Sequence, residues 1–131
     1  MTKLISIFLI ISISCFAKTD FSKTSISLDY AQVIKVKTSQ RANGSYCFDV
    51  TVRHNDTGWD HYANEWKVTD MKGNTLATRI LAHPHVNEQP FTRGLCGINI
   101  PKNVSKVKVE AKCNKHGYGR QSYVVNIKKK Y

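Results

Sequence analysis

Hydrophobic and polar residues alternate with a period of two along most of this chain. The segment 45–54 places every second residue, from Tyr46 to Val52, on one apolar face, and the segment 106–113 alternates apolar residues with charged ones. Side chains of a β-strand point alternately to its two faces, so this period indicates strands with one buried face. The intervening segments are rich in Gly, Asn, Pro and Asp, which is typical of turns.

Seven strands are predicted from this pattern, and no long segment has a helical period. They cover about 26–37 (A), 45–54 (B), 63–69 (C), 75–81 (C′), 95–100 (E), 106–113 (F) and 121–128 (G). Seven short strands in one small domain predict an all-β fold, an immunoglobulin-like antiparallel sandwich of two sheets. Trp66 on strand C would be the aromatic residue buried between the sheets. A small closed β-barrel is the alternative.

The first residues have the layout of a secretory signal peptide. Lys3 is followed by an apolar run from 4 to 13 and then by the small residue Ala17. This order predicts a signal peptide over 1–17 and one mature domain over 18–131. The run is too short for a permanent membrane helix, and no later segment is long enough. We therefore expect a periplasmic or secreted protein without a transmembrane segment; a second interpretation keeps Cys15 as a lipid-modified first residue.

The chain is basic, with a formal net charge of +11 at pH 7. Such a charge favours contact with acidic surfaces, so the expected partner is an envelope protein or an acidic ligand. The lysines are nevertheless spread along the chain, as on an ordinary solvated surface. No aromatic platform framed by basic residues is recognisable, so nucleic-acid binding is not expected.

Three cysteines remain after removal of the predicted signal peptide, and export makes disulfides feasible. By strand phase, Cys96 shares the face of Ile98 and Cys113 shares the face of Val109, so both should point inward. Cys47 should point outward. Because a disulfide needs converging Cβ atoms, the phase favours Cys96–Cys113 over the alternative Cys47–Cys113.

All five histidines fall in loops that antiparallel strands would gather at one end of the sandwich. Loops between successive antiparallel strands alternate between the two ends, and the B–C, C′–E and F–G loops share an end. These loops contain His54, His61, His83, His85 and His116. Such loop clusters commonly carry recognition in sandwich folds.

Several interpretations of this end remain open. A binding surface for a ligand or partner would use its aromatic, charged and histidine side chains, namely Trp59, Asp60, His61, Tyr62, Glu88, Phe91, Arg93 and His116. The alternative is a transition-metal site for Zn²⁺ or Cu²⁺ centred on His83 and His85, completed by His61 or His116. A third interpretation gives the polar side chains only a structural role in their loops. The sequence carries no Gly-x-Ser-x-Gly elbow, no phosphate-binding glycine loop and no catalytic cysteine signature, so we expect no enzyme and nominate no catalytic residue.

Three sequence motifs resemble those of known exported proteins, and this resemblance supports the prediction of export. They are "GWDHYANEW", "HPHVNEQPFTRGL" and "HGYG", within residues 45–127. Together they resemble small exported bacterial proteins that have no assigned function. The resemblance implies a periplasmic β-sandwich and supplies no activity, ligand or catalytic residue.

Overall fold

The computed structural model describes residues 27–119 and 121–130. This part of the chain contains eight β-strands and no helix. The strands are β1 (Gln32–Gln40), β2 (Tyr46–Arg53), β3 (Ala63–Asp70), β4 (Thr75–Ile80), β5 (Phe91–Ile98), β6 (Lys106–Cys113), β7 (Gly117–Tyr118) and β8 (Tyr123–Asn126). The predicted signal peptide and Cys15 lie outside the described residues. No helix within the described ranges is long and apolar enough to cross a membrane.

The strands form two antiparallel sheets. One has the order β1-β2-β5, and the other has β4-β3-β6 with β7 and β8 both paired to the far edge of β6. These sheets correspond to strands A, B, E and to strands C′, C, F, G of the sequence prediction, which confirms the two-sheet sandwich. Among the described residues no strand pairing joins the two sheets, so the closed-barrel alternative is wrong.

Two strand boundaries differ from the predicted ones. The first strand begins at Gln32 rather than near 26, because Leu28 and Asp29 form a turn. Strand β5 begins at Phe91 rather than 95, directly after Pro90. Gly94 and Gly97 interrupt the apolar pattern of β5, so the sequence predicts a shorter strand there.

The core lies between the sheets and is built from the inward residues that the period-two pattern predicts. Trp66 and Phe48 are completely buried, as are Val50 and Val109 on facing sheets. Burying one such side chain contributes about 1.5–3 kcal/mol to folding, so these residues fix which face of each strand turns inward. The prediction that Trp66 lies between the sheets is confirmed.

The predicted Cys96–Cys113 disulfide is wrong, because the structure bonds Cys47 to Cys96 and leaves Cys113 as a buried free thiol. The reason is a β-bulge in β5. Tyr46 pairs with Ile98 but Phe48 pairs with Leu95, so two residues of β5 lie opposite Cys47. One is Cys96, which the bulge turns to the outer face, and the other is Gly97, whose φ of 73° favours glycine.

Candidate metal centre

The histidine-bearing loops meet at one end of the sandwich through a continuous series of contacts. The ring of His54, just after β2, lies 4.6 Å from the ring of His61, just before β3. His61 in turn lies 5.0 Å from His116 of the β6–β7 turn. In the β4–β5 loop the rings of His83 and His85 lie 4.6 Å apart. The reversal of successive strands therefore gathers side chains that are far apart in sequence.

Asp56 connects the two groups of histidines. One carboxylate oxygen, Oδ1, accepts hydrogen bonds from His54 Nδ1 at 2.5 Å and from the Ala63 amide at 2.9 Å. The other, Oδ2, accepts the backbone N–H of His85 at 2.7 Å. Burial by itself raises the pKa of Asp56, but these hydrogen bonds outweigh it and hold the pKa below its ordinary value. Asp56 is therefore an ionised carboxylate that fixes His54 and the β4–β5 loop together.

A tight turn carries His61 back toward His54. The amide of Thr57 donates to the carbonyl of His61 at 3.0 Å, and the amide of His61 donates to the carbonyl of Gly58 at 3.2 Å. Gly58 has a φ of 146°, a backbone conformation that other residues rarely adopt. The side chain of Asn114, next to Cys113, holds the turn by donating to the carbonyl of Trp59 at 2.9 Å.

Three side-chain donor atoms converge in this region. The Nε2 atoms of His54 and His61 lie 3.2 Å apart, and both lie within 4.8 Å of the Sγ atom of Cys113. The backbone carbonyl oxygen of Asp29 is 3.1 Å from His54 Nε2, 3.2 Å from His61 Nε2 and 3.5 Å from Cys113 Sγ. Four atoms that can ligate a metal thus surround one point. We call His54, His61, Cys113 and the Asp29 carbonyl the His/Cys cluster.

The hydrogen bonds around the His/Cys cluster leave its donor atoms suited to a cation. Because Nδ1 of His54 donates to Asp56, Nε2 is the ring nitrogen that faces the cluster, and it can bind a cation when it carries no proton. Burial and the neighbouring His54 lower the pKa of His61, so this imidazole is neutral under ordinary conditions. The backbone N–H of His116 donates to Cys113 Sγ at 3.2 Å, which stabilises charge on the sulfur.

The separations are close to those of ligands that share one ion. Zinc binds histidine nitrogen at about 2.0–2.1 Å and cysteine sulfur at about 2.3 Å, which places tetrahedral nitrogen ligands roughly 3.3–3.4 Å apart and a nitrogen and a sulfur ligand roughly 3.5 Å apart. The two imidazole nitrogens, 3.2 Å apart, are within about 0.1 Å of this spacing, and the sulfur, within 4.8 Å of them, needs a shift of about 1.3 Å or less. His54 and Cys113 are buried while His61 is half-buried, so an ion can enter past His61.

The predicted metal centre at His83 and His85 lies beside this cluster but has a different environment. His85 stacks on Phe91 with a ring separation of 4.0 Å, and its Nε2 accepts a hydrogen bond from Arg93 at 2.9 Å. Burial, followed by the charge of Arg93, lowers the pKa of His85. Among the described residues, one group of three or more ligating side chains comes together, and neither His83 nor His85 belongs to it. The guanidinium of Arg93 therefore engages Nε2 of His85.

The predicted partner-binding residues are only partly exposed. Trp59 is 66% exposed at the tip of its turn and packs edge-to-face against Tyr62 at 5.5 Å, with exposed Asp60 beside it. In contrast, Phe91 is 1% exposed beneath His85, so it cannot contact a partner. Arg93 is paired with Glu88 at 3.2 Å, a hydrogen bond that lowers the pKa of this glutamate. The exposed ring of His116 packs on Tyr30 at 5.4 Å.

Sequence reasoning nominated His61 and missed the other members of the His/Cys cluster. The sequence places His54 at the correct end without indicating it as a ligand, and the strand phase assigns Cys113 to a disulfide. The spacing Cys-x-x-His over Cys113–His116 was a usable signal, since it places a thiol and an imidazole on one turn. The carbonyl of Asp29 carries no sequence signal, because every residue has one.

Comparison with known proteins gives one informative relative. The chain is 36% identical over 110 residues to a protein of Halomicrobium mukohataei named "Putative lipoprotein". The matched region is 83% of this chain and 54% of that protein, so the chain spans about half the length of the relative. No protein-family model matches the chain, and no solved structure matches it.

Proposed function

We propose that this protein is an exported transition-metal-binding protein that holds one Zn²⁺ or copper ion through His54, His61 and Cys113. The observation that carries the proposal is the convergence of two imidazole nitrogens and one thiol within 4.8 Å of one another. Soft thiolate and imidazole ligands select zinc and copper over magnesium and calcium. The carboxylate of Asp56 behind His54 is the outer-shell partner that metal-binding histidines commonly have.

Export is supported by the signal-like start of the chain and by the lipoprotein name of its relative. Outside the cytosol a disulfide such as Cys47–Cys96 persists. A free cysteine in the same compartment is exposed to oxidation unless it is buried or bound. Cys113 is 1% exposed, and a metal ion would protect it further.

Charge also favours the proposal over a purely structural role for the loops. Inside the cluster the Nε2 atoms of His54 and His61, the sulfur of Cys113 and the carbonyl of Asp29 face one another, and each can supply a lone pair to a cation. A divalent cation held there by a deprotonated Cys113 would coordinate these atoms and balance the two negative charges of Cys113 and Asp56.

Titration of metal-free protein tests the proposal. Zn²⁺ is measured by calorimetry under nitrogen, and Co²⁺ is used as a coloured substitute whose charge-transfer band reports thiolate ligation. We expect one ion per chain. The variants His54→Ala, His61→Ala and Cys113→Ser should each weaken binding by more than about tenfold, since loss of a ligand costs at least as much as loss of an outer-shell partner.

The matched control is His83→Ala, which removes an exposed histidine at the same end and should leave affinity unchanged. If binding depends on His83 and not on His54, the ion sits at the other histidine pair and the proposal is wrong. If neither ion binds, the His/Cys cluster is a hydrogen-bonded network with a structural role.

A second candidate function is contact with an exported partner through Trp59 and Tyr62. The specific observation is the 66% exposure of Trp59, because large aromatic side chains at the surface often anchor interfaces. Chemical cross-linking in the envelope tests it with Trp59→Ala, against Ile80→Ala as an equally apolar exposed control on β4. Equal cross-linking of both variants and the native protein would remove this candidate.

A further inference from the structure

We infer that the ion of the His/Cys cluster is copper, and that it changes between Cu²⁺ and Cu⁺ while bound. The inference rests on the proposed metal function and adds the identity of the ion and its one-electron chemistry. It is carried by the composition of the ligand set, by the surroundings of the sulfur and by the rigidity of the segments that hold the ligands.

The ligand set is two imidazoles, one thiolate and one backbone carbonyl. Structural zinc sites use four strong side-chain ligands, whereas the described residues supply three here, His54, His61 and Cys113. The fourth direction is closed by the carbonyl of Asp29, within 3.1–3.5 Å of all three donor atoms. Two histidines and one cysteine in a trigonal array, with a weak axial ligand such as a backbone oxygen, form a blue-copper electron-transfer site.

The surroundings of the sulfur favour the reduced ion. Cys113 is 1% exposed and lies on the inward face of β6 with Val109 and Ala111, so its sulfur is shielded from water. Its Sγ accepts the backbone N–H of His116 at 3.2 Å, which draws charge from the thiolate. Both features tune the potential of copper–thiolate sites, and both stabilise the lower charge of Cu⁺ relative to Cu²⁺.

The ligands are held by strand ends and by hydrogen bonds to neighbouring segments. Cys113 ends β6, His54 directly follows β2, and Asp56 fixes the ring of His54. His61 is held by the bridge between Gly58 and His61 and by the side chain of Asn114. A site that keeps one geometry in both oxidation states reorganises little during electron transfer, which suits one-electron exchange.

The reaction itself transfers one electron and neither makes nor breaks a ligand bond. Cu²⁺ bound to two imidazoles and a thiolate gains one electron and becomes Cu⁺ with the same ligands. The electron comes from a one-electron redox metalloprotein and leaves to another. Its entry point is the half-buried ring of His61, which touches the exposed ring of His116 at 5.0 Å.

Spectroscopy of the copper-loaded protein tests the inference. One equivalent of Cu²⁺ added to metal-free protein under nitrogen should produce an intense visible thiolate-to-copper band and an electron paramagnetic resonance spectrum with small copper hyperfine splitting. Ascorbate should bleach the band and ferricyanide should restore it, with at least nine-tenths of the intensity recovered over several cycles. His83→Ala is the control and should give the same spectra.

Two variants distinguish loss of the thiolate ligand from failure of the protein to fold. Cys113→Ser should abolish the band although copper still binds the imidazoles. His61→Gly should also lose the band, and added imidazole should restore it, which shows that the variant is folded. This second variant keeps the test informative if Cys113→Ser fails to fold.

Failure of the inference differs from failure of the proposed function. If Zn²⁺ and Co²⁺ bind through Cys113 while Cu²⁺ gives no thiolate band or only oxidises the thiol irreversibly, the copper inference is overturned and the metal function stands. If Cu²⁺ gives a weak spectrum that Cys113→Ser leaves unchanged, the inference is also overturned. If no ion binds at all, both fail.

Discussion

The carboxylate of Asp56 accepts a hydrogen bond from Nδ1 of His54 at 2.5 Å, and both side chains are completely buried. This pair orients Nε2 of His54 toward His61 and Cys113. The same carboxylate also accepts the amide of His85, so one side chain joins the β2–β3 and β4–β5 loops. The stability of this end of the sandwich and the geometry of its candidate metal centre therefore depend on the same residue.

Replacement of Asp56 by alanine should destabilise the protein strongly. It leaves the imidazole of His54 and the amides of Ala63 and His85 without their partner, and loss of one member of such a buried network costs roughly 3–5 kcal/mol. Urea denaturation measures the change in the free energy of unfolding. Asp60→Ala removes an exposed carboxylate four residues away and serves as the control, with an expected change of less than about 0.5 kcal/mol. Equal losses in the two variants would show that Asp56 is not the connecting residue.

Removal of the Cys47–Cys96 disulfide by a Cys47→Ala/Cys96→Ala double substitution should lower the free energy of unfolding by about 2–4 kcal/mol. The bond closes a loop with a sequence separation of 49 on the outer face, so the alanines leave no core cavity. Urea denaturation gives the loss, and peptide mapping without reductant should find residues 47 and 96 linked. A peptide that links Cys96 to Cys113 instead would contradict the structure.

Acidification should destabilise the protein in part through His85. Its pKa is lowered in the folded protein by burial and by Arg93, whereas the unfolded chain has the ordinary value of 6.5. The unfolded state therefore binds a proton first as the pH falls below 6.5, and stability decreases from there toward the folded pKa. His85→Phe keeps the stack on Phe91 but cannot titrate, so its melting temperature should fall less over this range. His61 titrates in both proteins and cancels from the comparison; equal slopes would be evidence against the prediction.

Substitution of Gly97 by alanine should cost about 1–2 kcal/mol, because an L-residue is strained at a φ of 73°. The bulge at this position also turns Cys96 toward Cys47, so disulfide formation during refolding should slow. Both effects are measurable, the first by urea denaturation and the second by timed trapping of free thiols. The control is Asn99→Ala, at an exposed position just beyond β5, which should change neither the free energy of unfolding nor the rate of disulfide formation. A Gly97→Ala variant as stable as the native protein would mean that the bulge is not formed as described.

The sequence predicts the sandwich because the pattern that indicates each strand lies within that strand. A strand with one buried face must alternate apolar and polar residues, so the inward positions around Phe48, Trp66 and Val109 can be identified without coordinates. The gathering of histidines at one end follows from the order of strands alone. The disulfide prediction failed because one extra residue in β5 reversed the phase of Cys96, and a bulge of this kind leaves only a glycine as its signal.

The sequence by itself determined the fold class, the inward face of most strands and the loops that share an end. The tertiary structure alone decided which side chains at that end touch. Arg93 donates a hydrogen bond to Nε2 of His85. His54, His61 and Cys113 come together around the carbonyl of Asp29. The physical reason is the precision that each feature needs. Alternation decides only which face of a strand a side chain lies on, whereas atoms that ligate one ion must lie within about 1 Å of their ideal positions. Those positions depend on turns, hydrogen bonds and bulges in several separate segments.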